Sequence, residues 1–130
     1  MPTNIAWKLE LDIPSGPKVN YANAVEVDAI DRIAVSIPDS SAAPAATTVE
    51  VQPGAAGKVK LLLIRASEYG AKVEYQVHDA AATKRVLSDA LFLVDSAPID
   101  LLGTPLDKLL ITNTSGRAVD VEVVVGRDAV

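Results

Sequence analysis

Any nucleophile–histidine–acid arrangement in this chain must use His78, the single histidine among 130 residues. It follows Val77 on a run that alternates polar and apolar, which places it on the polar face of a strand. Asp79, the adjacent acid, points to the opposite face if the strand continues. The two neighbours are therefore not a hydrogen-bonded pair, and a general base is recognised by geometry first. The bland reading, a solvated strand histidine, is the better one. Carboxylates offer a second chemistry, because two acids flanking a glycosidic bond can hydrolyse it. Asp28 and Asp31 flank a turn, and Asp120 and Glu122 share the wet face of the last strand. Acids on one exposed face also serve simply to keep a surface soluble. Asp28, Asp31 or Asp95 with Asp100 would supply oxygens of the kind Ca²⁺ takes, although no EF-hand spacing is present. For sugar stacking the one available pair is Tyr21 and Tyr69, in turn regions beside Asn20, Asn23, Glu68 and Gly70. Trp7 and Tyr75 share faces with aliphatic residues and read as core. No glycine-rich phosphate loop or G-x-S-x-G elbow occurs. The chain is expected not to be an enzyme and to hold no cofactor, with no catalytic or metal-binding residue assigned.

Composition narrows the partners. Seventeen acidic residues against twelve basic ones give a net charge of −5. Nucleic-acid binding begins with a basic face that neutralises phosphates, so a nucleic-acid partner is not expected. There are no cysteines, which removes disulfides, thiolate catalysis and cysteine-based metal centres. No basic start followed by an apolar run is seen in Met1–Trp7, and no stretch approaches the roughly 20 apolar residues of a membrane helix. Neither export by a standard signal nor a membrane partner is expected. Hydrophobic residues make up 49% of the chain and aromatic ones only 4%, so the core must be built from close-packed aliphatic side chains.

The elements that would carry these residues are strands. Trp7, Leu9, Leu11 and Ile13 alternate with Lys8, Glu10 and Asp12, the pattern of a half-buried strand. Pro14-Ser15-Gly16-Pro17 ends it. Ala24–Ile37 reads as two strands or one bent strand, with Ala29-Ile30-Asp31-Arg32 as a turn or bulge. Residues 39–48 form a flexible loop, DSSAAPAATT. Thr48–Gln52 is a short strand, and Pro53–Gly57 is a turn. Lys58–Arg65 is apolar on both faces, as a central strand is. Val73, Tyr75 and Val77 alternate with polar residues, and Leu91–Val94 is a further strand. Ala80–Ala90 is the one helix candidate, on alanine propensity alone. The strongest pattern comes last. Val119, Val121, Val123 and Val125 alternate with polar residues and follow Leu109–Thr112 across the turn cluster Asn113-Thr114-Ser115-Gly116, which reads as a hairpin. The fold class is all-β: one domain over residues 1–130, an antiparallel β-sandwich or jelly roll of about eight to ten short strands.

Ile64-Arg65-Ala66-Ser67 followed by Tyr69, then Leu101-Leu102-Gly103, Ile111–Gly116 and Val123–Asp128 give Lys58–Asp128 a texture that resembles small β-rich virion proteins of tailed bacteriophages. Head-decoration (cement) proteins are among them. The resemblance implies a non-enzymatic structural protein of the virus particle, located in the virion after assembly in the host cytoplasm. It implies that the chain binds the major capsid protein and stabilises the shell. Apolar positions on outer strand faces suggest self-association as a dimer or trimer. The outer-face residues expected at an interface are Leu62, Ile64 and Val124, with Ser40–Thr47 as an arm. The alternative is a ligand- or carbohydrate-binding β-sandwich using Tyr21 and Tyr69.

Overall fold

A computed structural model describes residues 3–51, 59–95, 98–99 and 106–128. The expected turn at Pro53–Gly57, Asp100 and the Leu101–Pro105 connection lie outside the described residues. In chain order the strands are β1 (Thr3–Leu11), β2 (Val19–Val27), β3 (Ala29–Ile37), β4 (Ala46–Glu50), β5 (Val59–Ala66), β6 (Gly70–Val77), β7 (Arg85–Leu87), β8 (Leu91–Val94), β9 (Lys108–Asn113) and β10 (Val119–Arg127).

Eight of them form two antiparallel four-stranded sheets, β3-β10-β5-β8 and β4-β9-β6-β7. The pairing is nested: β3 with β10, β4 with β9, β5 with β8, and β6 with β7. Strands β10 with β5 and β9 with β6 then close the roll. A long antiparallel ribbon, doubled at β6–β7 and rolled into two sheets, is the jelly-roll form of the β-sandwich. The all-β antiparallel sandwich expected from the alternating patterns is therefore present. Strands β1 and β2 stand apart as a two-stranded ribbon.

The core lies between the two sheets. Val121, Val123 and Val125 of β10 face inward, with Val119 at their end, and all four are buried. Register carries this face across the first sheet, since Val125 is opposite Leu62 and Val123 opposite Ile64. The second sheet presents Val73, Tyr75 and Val77, which sit opposite Asn113, Ile111 and Leu109. These residues form one aliphatic cluster. Full burial of each Val, Leu or Ile contributes about 1.5–3 kcal/mol relative to exposure.

Several expectations are corrected. Leu109–Arg127 is not a hairpin, because β9 and β10 belong to different sheets. Their turn arches across the edge of the sandwich, and each strand is an inner strand of its own sheet. The cause is Asn113, which is completely buried at the bend. Its amide nitrogen donates to the carbonyls of Ile37 and Arg117 at 3.1 and 2.7 Å. Its side-chain oxygen accepts from the Ser115 N–H and hydroxyl at 3.0 and 2.6 Å. Gly116 takes φ +95° beyond it, a conformation that L side chains rarely adopt. Leu62 and Ile64 do not lie on an outer face. The register with Val125 and Val123 turns both inward, and they are buried in the chain's own core. Of the three expected interface residues only Val124 faces outward, half-buried opposite Leu63. Ala80–Ala90 contains no helix: it holds a turn, strand β7 and the approach to β8.

The 39–48 loop is shorter than expected, since β4 begins at Ala46. It is tied down at its start. The Ser40 N–H and hydroxyl both donate to the Asn113 carbonyl, at 2.8 and 3.0 Å, and Asp39 accepts from the Gly116 N–H. Ala29–Arg32 is not a turn. The chain breaks at Asp28 alone, whose N–H donates to the Arg127 carbonyl, and β3 runs on from Ala29.

Replacing Asn113 by Ala strands two carbonyls and removes the link between the sheets. Asn113→Ala is expected to cost about 2–3 kcal/mol in urea unfolding. A loss under about 0.5 kcal/mol, the range of an ordinary surface change, would show that the bend does not depend on this side chain.

Candidate functional site

The described residues singled out for chemistry are dispersed, and most of them meet a structural partner. His78 leaves β6 at φ +80° and places Nδ1 2.8 Å from a carboxylate oxygen of Asp107, just before β9. Asp79 instead accepts from the Ala81 N–H in a local turn. The hydrogen bond from His78 is the main cause holding the Asp107 carboxyl below the usual aspartate value. The pair straddles neighbouring strand ends and is partly open to solvent. A histidine and an acid form two members of a triad, and among the described residues no hydroxyl is hydrogen-bonded to the His78 ring.

The paired acids separate in the same way. Glu122 lies between Arg32, at 2.7 Å, and Arg65, at 3.4 Å, in a row across β3, β10 and β5. The Arg32 hydrogen bond is the main cause holding its carboxyl low. A carboxylate held ionised in this way is poorly suited to donate a proton at neutral pH. Asp120, two residues away, donates its backbone N–H to the Ser67 hydroxyl oxygen at 3.0 Å. Asp31 meets Arg127 Nε at 3.2 Å. Lys60 is bound to Asp128 at 3.0 Å, with Asp95 and Asp28 acting on it from farther away. Among the described residues no group of three or more His, Cys, Asp or Glu side chains is arranged to hold a metal ion.

Tyr21 and Tyr69 are not brought together as a stacking pair. Tyr69 packs against the sandwich core, and its phenol oxygen accepts from the Ala66 N–H at 3.1 Å. Tyr21 lies on strand β2 rather than in a turn, and its ring contacts Trp7 at a centroid distance of 5.3 Å. Trp7 in turn meets Phe92 of β8 edge-on at 5.4 Å.

These rings lead to the feature that sequence reading missed. Strands β1 and β2 pair over nine positions, from Thr3 opposite Val27 to Leu11 opposite Val19. Alternation puts Ile5, Trp7, Leu9 and Leu11 on one face with Val25, Asn23, Tyr21 and Val19. Lys8, Glu10, Ala22 and Asn20 lie on the other, where Lys18 pairs with Glu10 at 3.7 Å. The apolar face changes role along its length. At the root it covers the outer surface of the first sheet. There Gly126 leaves room for Ile5 and Val27 beside Leu61, and a Cβ on Gly126 would come within 3.0, 3.1 and 3.3 Å of them. Toward the tip, Leu9, Leu11, Ile13, Val19 and Tyr21 keep between 42% and 51% of their surface open. The strand was legible in the alternation of Trp7–Ile13. Its exposure was not, because alternation marks an apolar face without saying what lies against it.

Comparison with protein-family models, with curated proteins and with solved structures finds no match for this chain.

Two predictions follow from these contacts. Asp39, Glu68, Asp107 and Glu122 are each held below their ordinary values, by Ser41, Arg117, His78 and Arg32 respectively. The unfolded chain therefore binds more protons than the folded one just above pH 4, and the stability from these groups is lost as pH falls through the lowered values. Thermal melts are expected to be flat from about pH 8 to pH 5 and to fall below about pH 4. Glu122→Gln should lower the midpoint at neutral pH and converge with the parent in acid; an equal gap at both pH values would contradict this. Gly126→Val is expected to push the ribbon's root off the sheet while the sandwich still melts cooperatively. The readout is a red shift of the emission from Trp7, the single tryptophan. Unchanged emission would show that the root is held elsewhere.

Proposed function

We propose that this chain is a non-enzymatic structural protein of a virus particle, a decoration or cement protein of the phage type that self-associates and binds the major capsid protein. The observation that carries the reading is the ribbon: a rigid jelly roll projects an amphipathic two-stranded arm whose outer half is apolar and uncovered. Exposed contiguous apolar surface is the ordinary mark of a protein-binding site. Jelly rolls occur in viral capsid domains, which supports the reading by analogy of fold alone. A cement protein gains from self-association, because several weak contacts with a shell then act together. Lectin domains share the same fold. A carbohydrate-binding role through Tyr21 and Tyr69 has less support, since Tyr69 is committed to the core and is not brought to Tyr21.

The reading predicts that the gene lies beside genes for virion structural proteins. It also predicts that the purified chain co-sediments with shells assembled from the neighbouring major capsid protein. A strict monomer with no affinity for those shells removes it.

A further inference from the structure

The ribbon is an unusual element to leave half covered. A two-stranded antiparallel pair is marginal in water unless something packs on its apolar face. Here the pairing continues well past the root, to Leu11 opposite Val19, and a turn closes it with the Gly16 N–H on the Ile13 carbonyl at 3.1 Å. The root half has its cover in Leu61 and Phe92. The tip half has none among the described residues. We propose that the tip half of this face, Leu9, Leu11, Ile13, Val19 and Tyr21, is a two-fold docking surface that takes the same face of a second copy of this chain. The inference deepens the self-association reading above and rests on it.

Three observations select a second copy as the occupant. The first is area. Five large side chains each about half open expose on the order of 400 Å², the size at which a patch on a monomer is commonly functional. Two such faces bury about 800 Å² together, which fits a small, reversible dimer contact. The second is chemistry. The tip face is aliphatic with one ring, and its nearest polar side chain, Asn23, is already bonded to the Tyr21 hydroxyl and the Ala24 N–H. Such a face asks for a flat apolar counterpart, and an identical face supplies one under two-fold symmetry. The third is charge. Across residues 3–27 the ribbon carries two lysines, Lys8 and Lys18, against three acids, Glu10, Asp12 and Glu26. Membrane-surface elements carry a basic polar face, so the balance favours protein over lipid. Continuity agrees: this face already serves as packing surface at its root. In the dimer the two ribbons stack as layers about 10 Å apart, with Lys8, Glu10 and Lys18 outward in water.

Sedimentation velocity and chemical cross-linking of the full chain test this. The parent chain is expected to be a dimer, or an even-numbered oligomer. Leu11→Lys is expected to weaken association at least tenfold while preserving the cooperative melt of the sandwich, and Lys8→Ala on the opposite face should leave association unchanged. The chain has no native cysteine, so Leu9→Cys treated with a short bis-maleimide should give a covalent dimer and Lys8→Cys should not. This second measurement decides if Leu11→Lys fails to fold. A parent chain that associates equally well as Leu11→Lys, and cross-links no better through position 9 than through position 8, overturns the docking surface and leaves self-association standing. A parent chain that stays monomeric overturns both; if it also binds neutral or anionic phosphatidylcholine–phosphatidylserine vesicles, the face belongs to a lipid surface. Loss of dimer in Leu11→Lys with no capsid binding by the parent would keep the docking surface and remove the cement role.

Discussion

The structure depends on a constraint at Asn113. A ribbon that rolls into two sheets must pass its chain from one layer to the other without leaving backbone groups dry and unpaired. At the β9–β10 arch a single buried amide meets that demand. Asn113 satisfies the carbonyls of Ile37 and Arg117 with its nitrogen and the Ser115 donors with its oxygen. Its own carbonyl holds Ser40, where the chain leaves β3 for β4. The β3–β4 and β9–β10 crossings between the sheets are thus locked side by side. Arg117 adds a bidentate bridge to Glu68 at 2.8 Å on both nitrogens, tying the β5–β6 turn to the same edge. With that edge fixed, β9 and β10 become inner strands of facing sheets, and their valines, leucine and isoleucine meet across the core.

The opposite end of the sandwich follows a different logic. There the first sheet's outer face is apolar around Leu61, Leu63, Val124 and Phe92, and the β1–β2 ribbon lies over part of it. Gly126 permits the approach because it brings no side chain to the contact, and the pairing of β10 with β5 shifts register at that point. Charge organises the rest of the same face. Arg32, Glu122 and Arg65 form a row across three strands, which keeps the lower half of the sheet wet while the upper half is covered. One sheet surface therefore holds two environments, divided between Val124 and Glu122 on a single strand.

The alternating patterns revealed most of the strands and the inward valines of β10, because period two reports which side chains share a face. It does not report partners. Asn113-Thr114-Ser115-Gly116 reads equally as a hairpin turn or as an arch, and only the burial of Asn113 separates them. Leu62 and Ile64 read as outer-face residues for a related reason: on a strand apolar on both sides, register against Val123 and Val125 decides which side is inside. The His78–Asp107 pair joins residues 29 apart and has no local signature. Tyr21 reads as a turn residue because Pro14–Pro17 and the asparagines at 20 and 23 mask the alternation of Val19, Tyr21, Val25 and Val27.

What the carboxylates and the ribbon share is the question of which groups have their demands met. Glu122, Asp31, Glu68, Asp107 and Lys60 are all engaged by opposite charges or by hydrogen bonds, and these contacts serve sheet rows, strand ends and turns. The ribbon is where demand remains. The Trp7 indole N–H is shielded from water without a hydrogen-bond acceptor among the described residues, at a cost of about 1–3 kcal/mol. Beyond it the apolar face runs on into solvent. A partner that covered this face, as proposed above, would gain by removing apolar surface from water, with the sandwich as the base that carries the ribbon.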